Sequence, residues 1–556
     1  MGRFPLPALI LALLIGSSWP AQAETGLPAA AQPAASSMAP ESDATPPAEP
    51  AGGAEAEPKA DAGSAPVAAA PSPVPDTPVG LAIKARLASI PDTGAEQDKK
   101  EREALIAFYG MRAGAPLWVD AKGLNADANA VAVEFGKAGD WGLDPVDFPS
   151  PKLETASADL SPEAQAAAEV EMAQTVLKYA RYARGGRIMD PAGQLNSNLD
   201  RKPQLLDPGK VLDGLGAAAD KAAYLVGTHP QHPQFQRLRE RYVEAIGKTG
   251  GKPNAAAKRI LANMEMWRWM HDDLGEVHLF ANVPSYMIDV VKDGKSIHSE
   301  RIVVGEIGKQ SSIFTRPLKS ITFRPMWRVP ESIKVNELWP SLLRGGGLMR
   351  QYGLEVETKD GRRLDWRTMD WKTLDIREYE VVQPAGRESV MGYVKFSFPS
   401  QHTIFMHDTP DKWMFNSKQR TLSHGCLRLR NPLEVAKIIL AEDKGWDAAK
   451  IDDLAKIGPM NNEIAMDKKI KMHIAYFTAW VDDTGALKTF SDIYGHEKRV
   501  IQALDGQWQK IAKGRDHLAP VVPDQAHLAE KPVKQASRGQ TSANDDFLSS
   551  FFGGGY

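Results

Sequence analysis

Ser423-His424-Gly425-Cys426-Leu427-Arg428-Leu429-Arg430-Asn431 holds the one cysteine of a 556-residue chain. A lone thiol excludes an intrachain disulfide framework. It also excludes zinc modules built on four cysteines, or on two cysteines and two histidines. Two readings remain, a small buried hydrophobe or a reactive group. A cysteine nucleophile needs a base, because a free thiol has a pKa of about 8.5. It also needs donors for a developing oxyanion and a group that orients the base. Upstream, Ile404-Phe405-Met406-His407-Asp408-Thr409 is an apolar run ending in His407, which places a base on a rigid element. Gly425 permits close backbone approach, so amide groups around Gly425 and Cys426 can face a carbonyl oxygen. Arg428, two residues on, can hold a carboxylate.

Working outward, the period of the surrounding sequence is that of strands. Val277–Phe280, Tyr286–Val291, His298–Val304, Ser320–Phe323, Tyr379–Val382 and Val394–Phe398 are short runs rich in β-branched and aromatic residues. Asp293-Gly294 is a hairpin turn signal. A helix over Leu433–Ala441 follows Asn431-Pro432. These elements predict a mostly β catalytic domain over about 254–450. Trp339–Trp371 interrupts the strand pattern. We read about 339–371 as an inserted lid hinged at Gly345-Gly346-Gly347, since long segments beside catalytic strands often move. Residues 451–514, with His473–Val481, read as a small β-containing extension.

Before Lys252-Pro253 the pattern is helical. Leu81–Leu87, Lys99–Arg112, a helix opened by Ser161-Pro162-Glu163, and Phe235–Ile246 carry apolar residues at helical spacing. Asn254–Met270 is a further helix. Residues 79–250 thus form a helical domain, and the fold class is α+β. Glu24–Pro78 is dominated by Ala and Pro and lacks aromatic residues. It cannot bury enough apolar surface to offset chain entropy, so 24–78 is expected to be a disordered tether and 515–556 a similar tail. Met1–Ala23 has a basic start, an apolar run and Ala21-Gln22-Ala23, the marks of a secretory signal peptide. The run is shorter than the roughly 20 residues that span a bilayer. A net charge of −3 with 25% charged residues argues against a nucleic-acid partner.

Zinc is the rival reading of the site, since His402, His407, His424 and Cys426 fall between positions 402 and 426. No pair of them has the helical spacing of two histidines three residues apart. A thiol–disulfide role lacks a resolving cysteine. We therefore expect no metal and no cofactor.

Ser423-His424-Gly425-Cys426-Leu427-Arg428, preceded by His407-Asp408-Thr409-Pro410, resembles the catalytic signature of bacterial L,D-transpeptidases with the YkuD-type domain. Trp267-Arg268-Trp269, Val303-Val304-Gly305, Trp327-Arg328-Val329-Pro330, Pro384-Ala385-Gly386, Val394-Lys395-Phe396, Thr478-Ala479-Trp480-Val481 and Asp492-Ile493-Tyr494-Gly495 are similar to segments of its large periplasmic subgroup. Trp118 and Gly142-Leu143-Asp144-Pro145 fall in what resembles that subgroup's helical scaffold domain. There are departures. The small peptidoglycan-binding module often found ahead of the catalytic domain has no room between Tyr242 and Trp267. Gln310-Ser311-Ser312-Ile313-Phe314 replaces the more usual Gln-Thr-Pro-x-Phe.

The resemblance implies a periplasmic enzyme acting on peptidoglycan stem peptides as donor and acceptor, with 3→3 cross-links as product. Cys426 would be the nucleophile and His407 the general base and acid. Ser423, His424 and Gly425 would form the loop and oxyanion hole. Arg428 would bind a substrate carboxylate or make a structural ion pair. Lipoprotein attachment or release, and L,D-carboxypeptidase action, use the same acyl chemistry, and carbapenems typically acylate the family's cysteine. A non-enzymatic wall-binding scaffold is the alternative of another class. The tether would reach cell-wall synthesis proteins.

Overall fold

The computed structural model describes residues 77–153, 159–386 and 389–521. The expected leader, nearly all of the tether and most of the tail lie outside the described residues. Among those described, no helix is long and apolar enough to cross a membrane.

The architecture is α+β. Helices Pro78–Ala88, Glu96–Met111, Ala126–Gly136, Pro162–Gly185, Pro208–Ala217 and Lys221–Val226 enclose one core around Ile83, Tyr109, Trp118, Phe135, Val176 and Tyr179. The long helix Pro162–Gly185 starts as its sequence predicts. Ser161 Oγ accepts from the Ala164 N–H at 3.2 Å, and Pro162 sits where a missing N–H costs nothing. Inside this helix the fully buried Glu169 accepts from Leu117 N, Trp118 N, Val119 N and Tyr109 Oη. One carboxylate thereby satisfies three backbone donors at the start of the short hairpin Val119–Asp120 and Gly123–Leu124.

The second core does not divide from the helices near Lys252-Pro253. Trp141, Ile188, Leu195, Leu199, Phe235, Leu238 and Tyr242 share it with the strand residues Leu279, Val304, Phe396 and Leu427. The joint is the helix Ala255–Arg268, capped by Asn254 on the Ala257 N–H. Its buried Arg268 donates to Ala183 O at 3.0 Å and Trp141 O at 2.7 Å, and its Glu265 accepts from Arg187 N and Ile188 N. Helical spacing in the sequence could show the amphipathic helices but not which sheet or bundle their apolar faces meet.

The large sheet has eleven strands among the described residues. From one edge they run Asn462–Ala465, Ser320–Phe323, Val394–Ser397, Met406–His407, Leu427–Leu429, Lys295–Gly305, Met287–Lys292, Val277–Asn282, Lys471–Ala475 and Thr315–Pro317, with Thr421–Ser423 joining Lys295–Gly305 in parallel. Asp293-Gly294 makes the two-residue turn between Met287–Lys292 and Lys295–Gly305 with positive φ at both residues, the geometry that matches strand twist. The expected extension after residue 451 is corrected here. Asn462–Ala465 forms an edge of this sheet, and Lys471–Ala475 lies inside it, paired in parallel with Val277–Asn282.

The insertion is larger than 339–371. A separate four-stranded sheet orders Arg363–Leu364, Glu355–Glu357, Glu380–Gln383 and Trp327–Arg328, so Tyr379–Val382 belongs to it and not to the large sheet. It has its own core of Trp327, Leu338, Val356, Trp366, Trp371 and Val381. The triple glycine lies in a turn packed against the core of the insertion. A Cβ on Gly346, at φ +73°, would lie 2.3 Å from the Trp366 ring. The first residues of the expected tail, 515–521, are packed: the His517 N–H donates to Ser197 Oγ at 3.1 Å, and Val521 lies against the core of the insertion.

Candidate active site

Strand register assembles the site. Met406–His407 lies between Val394–Ser397 and Leu427–Leu429, with His407 opposite Lys395 on one side and Arg428 on the other. Side chains alternate along a strand, so Met406, Leu427, Leu429 and Phe396 point into the core. Phe405, His407, Lys395, Cys426 and Arg428 share the opposite face. Cys426 precedes the strand Leu427–Leu429, and its Sγ accepts from the Phe405 N–H at 3.5 Å while Leu427 N donates to Phe405 O at 2.9 Å. Cys426 and His407 are thus diagonal neighbours on one sheet face, roughly 7–8 Å apart at Cα and within reach of an imidazole.

The imidazole is held in one tautomer. His407 Nδ1 donates to the backbone carbonyl of Asp408, which can only accept, so Nε2 carries the lone pair. The Asp408 carboxylate does not orient the ring. It accepts from Tyr393 N at 2.9 Å, Thr409 N at 2.7 Å and Lys412 Nζ at 2.6 Å, and so fixes the turn whose carbonyl does.

The field at the site favours neutral forms. Burial, and then the Arg428 guanidinium, hold His407 down to about 3, against the bond to the Asp408 carbonyl. Burial pushes the Cys426 thiol above its ordinary 9.0, against the Phe405 N–H, Arg428 and Lys395, which favour the thiolate. Cys426 is partly exposed, so the thiol remains reachable.

The loop before the thiol is braced from three sides. Gly425 has φ +109°, and a Cβ there would lie 3.2 Å from Gln310 O. Its N–H donates to Ser423 Oγ at 3.2 Å, and Ser423 Oγ–H donates to Cys426 O at 2.6 Å. Its carbonyl accepts from the fully buried Ser311 Oγ at 2.7 Å, which in turn accepts from Gly305 N at 2.9 Å. Tyr494 Oη donates to Gly305 O at 2.5 Å. His424 turns away from the thiol and its Nε2 meets Glu337 Oε1 at 2.9 Å, where Lys309 Nζ also binds at 2.9 Å. Burial raises the Glu337 carboxyl, but His424 and Lys309 outweigh it and hold the group below the usual carboxylate value. Glu337 belongs to the insertion, so the insertion grips the catalytic loop.

Arg428 is buried at 1% exposure, with Nη1 3.7 Å from Asp411 Oδ2 and 3.1 Å from Met414 Sδ. Burial lowers it to about 10, against Asp411 and Cys426. Of its two sequence readings the geometry favours the structural ion pair, which also sets a fixed positive charge beside the thiol. The three histidines of the zinc reading each have other partners. His402 binds Asp200 and His517, His407 binds Asp408, and His424 binds Glu337. Among the described residues no group of three ligating side chains converges.

Sequence reasoning missed Glu337, Lys395, Asp411, and the bracing role of Ser311 and Tyr494. Gln310-Ser311 stood out only as a departure from the family pattern, and Asp492-Ile493-Tyr494-Gly495 only as a family likeness. Nothing local marked Glu337, because its partner lies 87 residues away.

This face, with a thiol, a tautomer-locked imidazole and a braced glycine turn, defines a candidate cysteine acyltransferase site on an α+β scaffold. Residues 276–453 match the family model of the YkuD L,D-transpeptidase catalytic domain, and residues 103–241 match that of a Scaffold domain. A Haemophilus influenzae protein with the name "Putative L,D-transpeptidase" is 29% identical over 241 residues, which are 42% of this chain and 47% of that protein. The match therefore spans about half of that relative's length. The chain carries a YkuD L,D-transpeptidase catalytic domain together with a scaffold domain.

Proposed function

We propose that the protein is a periplasmic, cysteine-dependent L,D-transpeptidase that joins peptidoglycan stem peptides by 3→3 cross-links. The observation that carries this is Cys426 on one sheet face with His407, whose Nε2 lone pair is fixed by the Asp408 carbonyl. On substrate binding the thiol proton passes to Nε2 as Sγ bonds to the carbonyl carbon before the terminal D-alanine. The carbon–nitrogen bond then breaks, and the imidazolium returns the proton to the departing amine. A thioester remains on Cys426. The side-chain amine of a second stem attacks it, gives a proton to His407, and the sulfur leaves and regains that proton. Amide groups of the turn at His424–Cys426 stabilise the oxyanion of each tetrahedral state.

Water or a lipoprotein amine could take the thioester by the same steps, and product analysis with and without an amine acceptor separates them. The decisive test is intact-mass detection of an acyl adduct on incubation with a tetrapeptide stem. We expect the adduct on Cys426, its loss in Cys426→Ala, and a roughly 10²–10⁴-fold slower appearance in His407→Ala. Cross-links in muropeptide analysis that persist in Cys426→Ala would end this reading.

A further inference from the structure

Four cations act on Cys426, His407 or His424, and three have an acid of their own. Arg428 pairs with Asp411, Lys412 with Asp408 at 2.6 Å, and Lys309 with Glu337 at 2.9 Å. Lys395 is the exception. It is half-buried in the central strand Val394–Ser397, opposite His407 and Thr322, with its side chain on the catalytic face. Its Nζ lies 5.1 Å from the centre of the Phe405 ring, and the Phe405 N–H is the group that touches Cys426 Sγ. Among the described residues no carboxylate lies within ion-pair distance of it. Glu463, the acid that acts on it from further off, accepts instead from Ser320 Oγ at 2.6 Å. Beside it Thr322 Oγ1 is buried and has no hydrogen-bond partner among the described residues. A desolvated ammonium without a counter-ion is costly to keep, and an arriving anion would supply one.

The chemistry of the proposed reaction says which anion. The departing residue carries a carboxylate one residue from the scissile carbonyl, a span of roughly 3.3–3.6 Å. The sequence suggested Arg428 for such a group, but Asp411 already occupies it. We propose that Lys395 binds the terminal carboxylate of the departing residue, so that the site accepts stems ending directly after the scissile bond and rejects chains that continue beyond it. This rests on the proposed function, and it adds the residue that reads the chain end.

The test compares wild type, Lys395→Met and Lys395→Arg on two probes. One is a tetrapeptide stem with a free terminal carboxylate, and the other is the same peptide as its carboxamide. Acyl-adduct formation is followed by intact mass, with iodoacetamide labelling of Cys426 in parallel to report the thiol. Wild type is expected to favour the free acid by about 10- to 100-fold, the range for a hydrogen-bonded charge. In Lys395→Met the ratio of the two rates should fall to near one, and Lys395→Arg should restore much of it. Wild type acylated equally by both peptides would overturn the proposal. So would a Lys395→Met variant in which both rates fall by the same factor and iodoacetamide labelling slows with them, since the ammonium would then serve the thiolate alone. No adduct on wild type with either peptide would overturn the proposed function itself, and this inference with it.

Discussion

The electrostatics of the site make a definite statement about the resting thiol. An ion pair at pH 7 needs His407 protonated and Cys426 ionised. Protonating His407 at pH 7 from a value of about 3 costs roughly 5 kcal/mol, and ionising a thiol that burial has pushed up adds a further cost. Attraction between the two charges at 4 Å returns about 4 kcal/mol at an effective dielectric of 20. The neutral pair wins by a few kcal/mol, and the proton moves only when substrate supplies an electrophile. Iodoacetamide labelling of Cys426, the only cysteine, reads this directly by intact mass across pH 5–10. A free thiol with a pKa of about 8.5 is only a few per cent thiolate at pH 7, and burial lowers that fraction further here. The rate is expected to climb about tenfold per pH unit from pH 7 and to level off only above pH 9. A fast rate independent of pH between 5 and 8 would refute the reasoning, because it would mean a preformed thiolate.

Three further outcomes follow from the supporting structure. Ser311→Ala removes the donor to Gly425 O and orphans the Gly305 N–H, a loss of about 1–3 kcal/mol, while Ser311→Thr keeps the hydroxyl. Melting curves and acyl-adduct rates should both fall for the alanine variant and recover with threonine; equal behaviour of the two would discard the bracing role. Glu337→Gln weakens the hold of the insertion on His424 and Lys309, and hydrogen exchange should rise across the helical segment Lys334–Leu338 and the loop at 423–426 together; a rise in one without the other would mean they are not coupled there. His496 is fully buried with neither ring nitrogen bonded among the described residues, and burial holds it down to about 3 from 6.5. Its folded value is depressed, so the unfolded chain binds the extra proton, and stability present above pH 6.5 is lost as pH falls towards 3. The stability gap between wild type and His496→Phe should therefore shift by roughly 2 kcal/mol in favour of the variant from pH 8 to pH 5, read from denaturation at both values; a constant gap would show that His496 does not drive acid sensitivity.

Much of the local structure was legible. The cap at Ser161 and the turn at Asp293-Gly294 rest on interactions within a few residues, which sequence spacing encodes, and the apolar run ending in His407 was visible although its strand partners are distant in the chain. The insertion was visible as a break in the strand period but misjudged in extent. The strands Trp327–Arg328 and Glu380–Gln383, which bound it in sequence, look like any others until their partners are known.

The sequence by itself determined the chemistry available: one thiol, a histidine at a strand end and a glycine turn between them. It also determined the α+β order of elements, because amphipathic period is a local property. Only the tertiary structure decided how that chemistry is set. Register placed Lys395 and Arg428 on either side of His407, and the Asp408 backbone carbonyl rather than its carboxylate chose the tautomer. Burial then decided the protonation states. Packing set Asp411 beside Arg428 and, among the described residues, no carboxylate within ion-pair distance of Lys395, because the cost of placing a charge depends on everything packed around it and not on its neighbours along the chain.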